Sequence, residues 1–276
     1  MEVVHERCAG LDVHKQTVVA CVLTAGPAAR PASEVRTFGT MAADLAALAA
    51  WLAERGVTHV ALESTGVYRW PLRNLLEGRF ALVLATAQHV KAVPGRKTDV
   101  RDCEWLARLP RHGLVRGSYA PDRARRELRE LTRYRTALTR ERAAEINRLE
   151  KTLAGANVKL GAVATDLTGV SARAMLRALV AGATEPAALA ELARGRLRRK
   201  VPELERALAG RVGPHQRFLL ARQVAHIDDL DELLAQVSDE IAARLRPHEP
   251  ALARLEGIPG VGRRIAEVLL AEVGPD

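Results

Sequence analysis

Aromatic residues make up only 3% of the 276-residue chain, three each of Trp, Tyr and Phe. A core of stacked rings is therefore excluded, and packing must rest on aliphatic side chains. Cysteine is as scarce: Cys8, Cys21 and Cys103 stand far apart, with no CxxC pair among them. That pattern supports neither a disulfide framework nor a zinc site and suits a reducing compartment. No apolar run approaches the roughly 18 residues that a bilayer span needs. The first residues, with Glu2, His5, Glu6 and Arg7, are too polar for a secretory signal. The expectation is a soluble protein, not bound to a membrane, that stays in the cytoplasm where it is made.

What the chain does have is aliphatic mass and positive charge. Hydrophobic residues reach 48%, enough for real cores in two or three domains, and abundant Ala, Leu and Arg favour helices. Forty-two Lys and Arg against 33 Asp and Glu leave a net charge of +9, with a sequence pI near 10.1. Such an excess suits a polyanion, held through phosphate contacts and counterion release. A basic protein with no such partner shares this composition, so the motifs must carry the argument further.

Residues 8–13, CAGLDV, and 17–24, TVVACVLT, are rich in β-formers and flank His14, Lys15 and Gln16 at a hairpin turn. Gly26, Pro27 and Pro31 read as a loop, and Val35 to Gly39 as a third strand. Leu45, Leu48, Trp51 and Leu52 have the spacing of an amphipathic helix over Ala42 to Arg55. HVALEST at 59–65 is a short buried strand, Tyr68 to Glu77 a helix, and FALVLA at 80–85 a further strand. The β-β-β-α-β-α-β order that results is used by RNase H-like nucleases and also by actin-like ATPases. Beyond Pro94 and Gly95, a basic loop, GRKTDVRDCEWLARL, runs into a helix ending near Pro110. A long helix over about 122–154 follows, its apolar seam interrupted by Arg135 and Arg142, and a second long amphipathic run covers Gln216 to Leu245. Shorter helices and a basic cluster, RGRLRRK at 194–200, lie between them. Two such helices predict antiparallel packing rather than a strict parallel coiled coil.

Four carboxylates occupy informative places. Asp12 lies in an otherwise apolar strand, where a charge is costly unless paired or bound to metal. Glu63 stands at the carboxyl edge of HVALE, where α/β sheets commonly place ligands. Asp99 and Asp102 are three apart, which on a helix puts them on one face. Together they offer an oxygen donor set for Mg²⁺ or Mn²⁺, and a pair of ions about 4 Å apart suits phosphodiester cleavage. Each has a plainer reading: Asp12 in a turn, Glu63 at a surface strand end, and Asp99 and Asp102 as first-turn acids favoured by the helix dipole behind Thr98. Jointly, with the strand order and the basic loop, the metal reading is favoured.

Lys15, Arg96, Lys97 and Arg101 flank these acids and are candidates for neutralising a scissile backbone, although surface charges of this kind are commonly only solvated. Near the end, IPGVG at 258–262 precedes a Leu-rich helix. Gly260 and Gly262 allow a tight turn, and the next helix start, with Arg263 and Arg264, can face a phosphate in the manner of a helix-hairpin-helix element. A connector between two helices has the same composition. Ser64, Ser118 and His14 form no visible Ser/His/Asp arrangement.

GLDVHK at 10–15, ALESTGVYRWPL at 61–72, KTDVRD at 97–102 and GIPGVGRRIAEVLLAEVG at 257–274 resemble the DEDD, RuvC-like transposases of bacterial insertion sequences, the group that uses a bridge RNA. The resemblance spans essentially the whole chain. It implies that Asp12, Glu63, Asp99 and Asp102 are the metal ligands, holding two Mg²⁺ or Mn²⁺ ions. It implies an RNase H-like (RuvC-like) α/β nuclease domain at 1–117, an all-α coiled-coil region at 118–245 and the start of a helical C-terminal transposase domain at 246–276. It further implies DNA and a noncoding bridge RNA as partners, assembly as a homo-oligomer (dimer or tetramer), and a bacterial cytoplasmic protein that associates with the nucleoid when active.

Cys103 stands where many relatives of this group have a small Ala, a tolerable change for a small apolar side chain. The group also uses a C-terminal serine nucleophile, expected after residue 276, so this chain reads as truncated, retaining metal and nucleic-acid binding without complete recombination. Two other readings stay open, a Holliday-junction-type nuclease of similar fold and a noncatalytic nucleic-acid-binding fragment. An actin-like ATPase or sugar kinase would need a Gly-rich phosphate loop after Asp12, and HKQTVVA has none.

Overall fold

The alternation of small and branched residues at the N-terminus makes a sheet. In the computed structural model, which describes residues 2–25, 31–63, 68–85, 102–114 and 121–275, β1 (Cys8–Val13), β2 (Thr17–Thr24) and β3 (Ala32–Gly39) form an antiparallel meander. The hairpin closes with the His14 amide donating to the Thr17 carbonyl at 2.9 Å. Next come α1 (Ala42–Glu54), β4 (His59–Glu63), α2 (Arg69–Leu76) and β5 (Ala81–Ala85). The strands lie in the order β3-β2-β1-β4-β5, with β1, β4 and β5 parallel. This mixed sheet matches the expected element order and is compatible with an RNase H-like α/β domain. The expected loop at Gly26 and Pro27, and Ser64 and Thr65 of the fourth strand motif, lie outside the described residues.

Side-chain alternation gives each sheet face its own cover. Leu11, Val60, Leu62 and Leu84 face one side and pack with Leu48 and Leu52 of α1 and Leu72 and Leu76 of α2. A fully buried leucine of this kind contributes about 1.5–3 kcal/mol. On the other face, Ala61, Ala85, Cys21 and Leu23 pack beneath α3 (Asp102–Arg111) through Cys103, Leu106, Ala107 and Leu109. Gly10 makes this approach possible. A Cβ there would overlap the Cys103 carbonyl and the Ala107 amide nitrogen.

β3 begins three residues earlier than the apolar pattern indicates. Ala32 and Ser33 are small and exposed and Glu34 is polar and half-buried, yet they pair with β2 in full register. Helix α3 runs one residue beyond Pro110, because a proline in the last turn removes only one amide donor.

The chain divides into two compact units, Met1–Arg123 and Ala124–Asp276. The second spans residues 124–245 of the segment expected at 118–245 and all of the segment expected at 246–276. It is helical: α4 (Arg123–Gly155), α5 (Leu160–Val163), α6 (Val170–Ala181), α7 (Pro186–Ala190), a 3₁₀ segment (Gly195–Lys200), α8 (Val201–Leu208), α9 (Pro214–Leu245), α10 (Glu249–Glu256) and α11 (Arg263–Val273). Helix α9 starts with Pro214 at its first turn, and Gln216 Oε1 accepts from the Gly213 amide at 3.1 Å, an arrangement that satisfies an otherwise orphan donor.

At 33 residues α4 is about 50 Å long, and α9 runs antiparallel to it. Leu128 packs with Ile241 and Leu245, Leu138 with Leu230 and Leu234, and Leu149 with Ile227 in a common core. The two arginines that interrupt the seam are each matched by a carboxylate. Arg135 donates to Glu267 at 2.6 Å, and Arg142 pairs with Asp231 while reaching Thr168 Oγ1 at 3.1 Å. Among the described residues, no helix is long and apolar enough to cross a membrane.

Candidate functional site

Asp12 occupies the α3 side of the sheet. It pairs with Val19 across β2 and follows Leu11, whose partner on β4 is Leu62. Glu63 therefore closes β4 one step beyond that pair, on the same edge and the same face. Adjacent strands lie about 4.8 Å apart, so two acidic residues from segments fifty residues apart stand on neighbouring strands at their carboxyl ends.

Helix α3 brings a third. Its C-terminus sits at the start of β1, where the Arg111 carbonyl accepts from the Val4 amide at 2.8 Å and Arg111 Nη1 donates to the Glu6 carbonyl at 2.6 Å. Its middle crosses Gly10. The helix thus runs antiparallel to β1, and its first residue, Asp102, lies toward the edge that bears Asp12 and Glu63. Asp102 and Glu104 both stand in the first turn, where the helix dipole favours negative charge. Glu104 is engaged elsewhere, accepting from Ser33 Oγ at 3.1 Å.

The half-buried Asp12 has a neighbour that the sequence motifs did not single out as functional. His14 Nε2 lies 3.2 Å from Asp12 Oδ2, with the Asp12 side chain only 17% exposed. The signal is present in LDVHK, since residues two apart at a strand end share a face. Lys15, exposed at the same turn, is held by its carbonyl, which accepts from Thr40 Oγ1 at 3.1 Å.

Asp99, Arg96, Lys97 and Arg101 lie outside the described residues. Among the described residues, no three His, Cys, Asp or Glu side chains gather closely enough to hold an ion. The donors placed at this edge are nonetheless carboxylate oxygens, the hard type that suits Mg²⁺ or Mn²⁺. Cys103, the nearest thiol in sequence, packs inward with Cys21 and Ala107. Cys21 is pushed well above the ordinary thiol range by its hydrogen bond with Cys103 and by burial, which makes it a poor thiolate donor. The donor chemistry fits a divalent cation.

In the second unit, the tight turn between α10 and α11 is real. Gly260 has φ +85°, a left-handed conformation that glycine adopts without strain, and Gly262 caps α11. Arg263 is drawn into the fold: it donates to Glu249 at 2.6 and 2.8 Å, to Glu256 at 3.4 Å and to Glu267 at 3.3 Å. The Glu249 bonds above all push its pKa up. Arg264, by contrast, is exposed.

No curated protein matches the chain. Residues 9–158, more than half of the sequence and including Asp12, Glu63, Asp99 and Asp102, match a family described as Transposase, the DEDD transposases of the IS110 type. On that match the chain belongs to the IS110 family of DEDD transposases.

Proposed function

We propose that this transposase cleaves and transfers DNA strands with divalent cations held by Asp12, Glu63, Asp99 and Asp102, its target chosen by a noncoding bridge RNA. The supporting observation is the placement of Asp12 and Glu63 on neighbouring strands at one edge of the sheet, with α3 starting at Asp102 toward the same edge. Two cations bound there would activate the attacking oxygen and stabilise the leaving one. The strand ends carry Asp12 and Glu63, and Gly10 lets α3, which starts at Asp102, pack closely on β1. Lys15 places positive charge at the lip of the acidic edge, where a phosphodiester would otherwise be repelled, and His14 stands beside Asp12 at 3.2 Å. In the second unit, Gly260, Gly262 and Arg264 offer a backbone-phosphate contact at the start of α11, while Arg263 holds that turn in place. Assembly as a homo-oligomer belongs to the same reading.

The test is an excision and insertion assay in cells that supply the donor element and its RNA, run with Asp12→Asn and Glu63→Gln. Loss of a metal ligand should exceed the roughly 10–100-fold effect typical of losing an outer-shell partner, with RNA binding retained. Unchanged transposition by both variants would overturn the assignment.

A further inference from the structure

The two arginines of α6 are neutralised within the fold. Arg173 pairs with Asp228 and Asp231 and donates to the Thr168 carbonyl at 2.7 Å, and Arg177 meets Asp228 at 3.0 Å. The neighbouring 3₁₀ segment is different. Arg194, Arg196, Arg198, Arg199 and Lys200 are all exposed, and among the described residues none of them pairs with a carboxylate.

Three of these, Arg194, Arg196 and Lys200, line a concavity of about 590 Å³ together with the first turn of α6 at Val170 and Ser171. That turn contributes amides with no partner one turn earlier in the helix, and Gly169 caps it. Ser171 Oγ ties the two walls by accepting from the Arg194 amide at 2.9 Å. Asp166, a carboxylate on the rim, is turned onto Thr168, accepting from its amide at 2.8 Å and its hydroxyl at 2.7 Å. Its charge is thus occupied locally, and the wall formed by the 3₁₀ segment is left cationic.

From this geometry we infer a second nucleic-acid site, in the helical unit, that takes the backbone of a single-stranded or looped segment. The amides of α6 and the guanidinium groups of Arg194 and Arg196 suit phosphate oxygens. Concavity selects the strand: a looped backbone can fold a phosphate and an unstacked base into a pocket, and arginine planes stack on such bases, whereas a regular duplex presents a smooth convex surface. The carboxylate edge of the first unit is not needed for this contact.

Fluorescence anisotropy of the full chain in EDTA, with a labelled single-stranded 20-mer and a blunt duplex of equal length, tests the site without divalent cations. The triple variant Arg194→Ala, Arg196→Ala, Lys200→Ala should weaken single-strand binding at least tenfold at 150 mM salt and reduce the slope of log K against log salt by about two, given ~0.7 per phosphate contact. Duplex affinity should change less than threefold. Lys200→Gln alone should give a smaller loss of the same kind, and circular dichroism should report an unaltered helical fold. An unchanged single-strand affinity, or equal losses for strand and duplex, would overturn the inference. Because no metal is present, neither result depends on the assignment of Asp12 and Glu63.

Discussion

Gly10 of β1 lies directly beneath the carbonyl of Cys103, so the strand that carries Asp12 and the helix that starts with Asp102 touch backbone to backbone. A side chain between them would lift the helix from the sheet and separate the acids. Gly10→Ala should therefore destabilise the first unit by about 1–3 kcal/mol, as overpacking does, and abolish transposition even where the fold survives. Urea unfolding monitored by circular dichroism checks the first part, and an unchanged midpoint would argue against the contact.

If the acidic edge takes divalent cations, Mn²⁺ must stabilise the folded chain by mass action. At a hundredfold excess over the dissociation constant the gain is about 2.7 kcal/mol. Thermal unfolding of the wild type should shift upward with Mn²⁺ or Mg²⁺ and return on chelation, while Asp12→Asn should respond weakly or not at all. Equal shifts for the two proteins would place the cation elsewhere.

Much of this is legible in the sequence itself. The apolar blocks CAGLDV and TVVACVLT are strands with their expected ends, and HVALE is strand as far as the described residues run, because both sheet faces are covered and every position is either buried or conspicuous. Ser33 and Glu34 were not legible as strand: their partner is the full-length β2, and pairing rather than hydrophobicity extends them. The interruption of the α4 seam was visible at Arg135, but its carboxylate partner stands 132 residues away on α11, and no local pattern encodes that. His14 is not legible as a partner of Asp12, because a histidine in a turn commonly has no task. At the other end of the chain, Arg263 was visible as a phosphate ligand beside a Gly-rich turn, whereas three carboxylates from the surrounding helices claim it.

The Arg135 and Glu267 pair is buried to 4% and 5% exposure, which makes it expensive to break on one side. Glu267→Gln should leave the arginine charge poorly compensated and cost about 3–5 kcal/mol, whereas the double change Arg135→Met, Glu267→Leu should be near neutral or stabilising. Chemical denaturation of the three proteins measures this directly. A single variant as stable as the wild type would show that water reaches the pair.

At the opposite end of the sheet from the acids, His59 stacks on His5 with ring centroids 3.5 Å apart. Burial first, and the nearby His5 second, hold the His59 pKa below its ordinary value. The unfolded chain therefore takes up this proton before the folded one. Its contribution to stability is complete above about pH 6.5, the ordinary histidine value, and is lost as pH falls below it. The unfolding midpoint of the wild type should drop between pH 7 and pH 5.5, and His59→Gln should flatten that slope. Parallel pH curves would exclude the histidine pair as the cause.

β3 closes one side of the sheet with a sequence, ASEVRTFG, that is mostly exposed and carries Glu34 and Arg36. Among the described residues no further strand meets its outer peptide groups, and a row of this kind is the usual template on which further copies add and grow into fibres. Charged side chains along it make such addition unfavourable, so concentrated samples should remain dispersed. Replacing Glu34 and Arg36 with valine would turn a solvated border into an adhesive one.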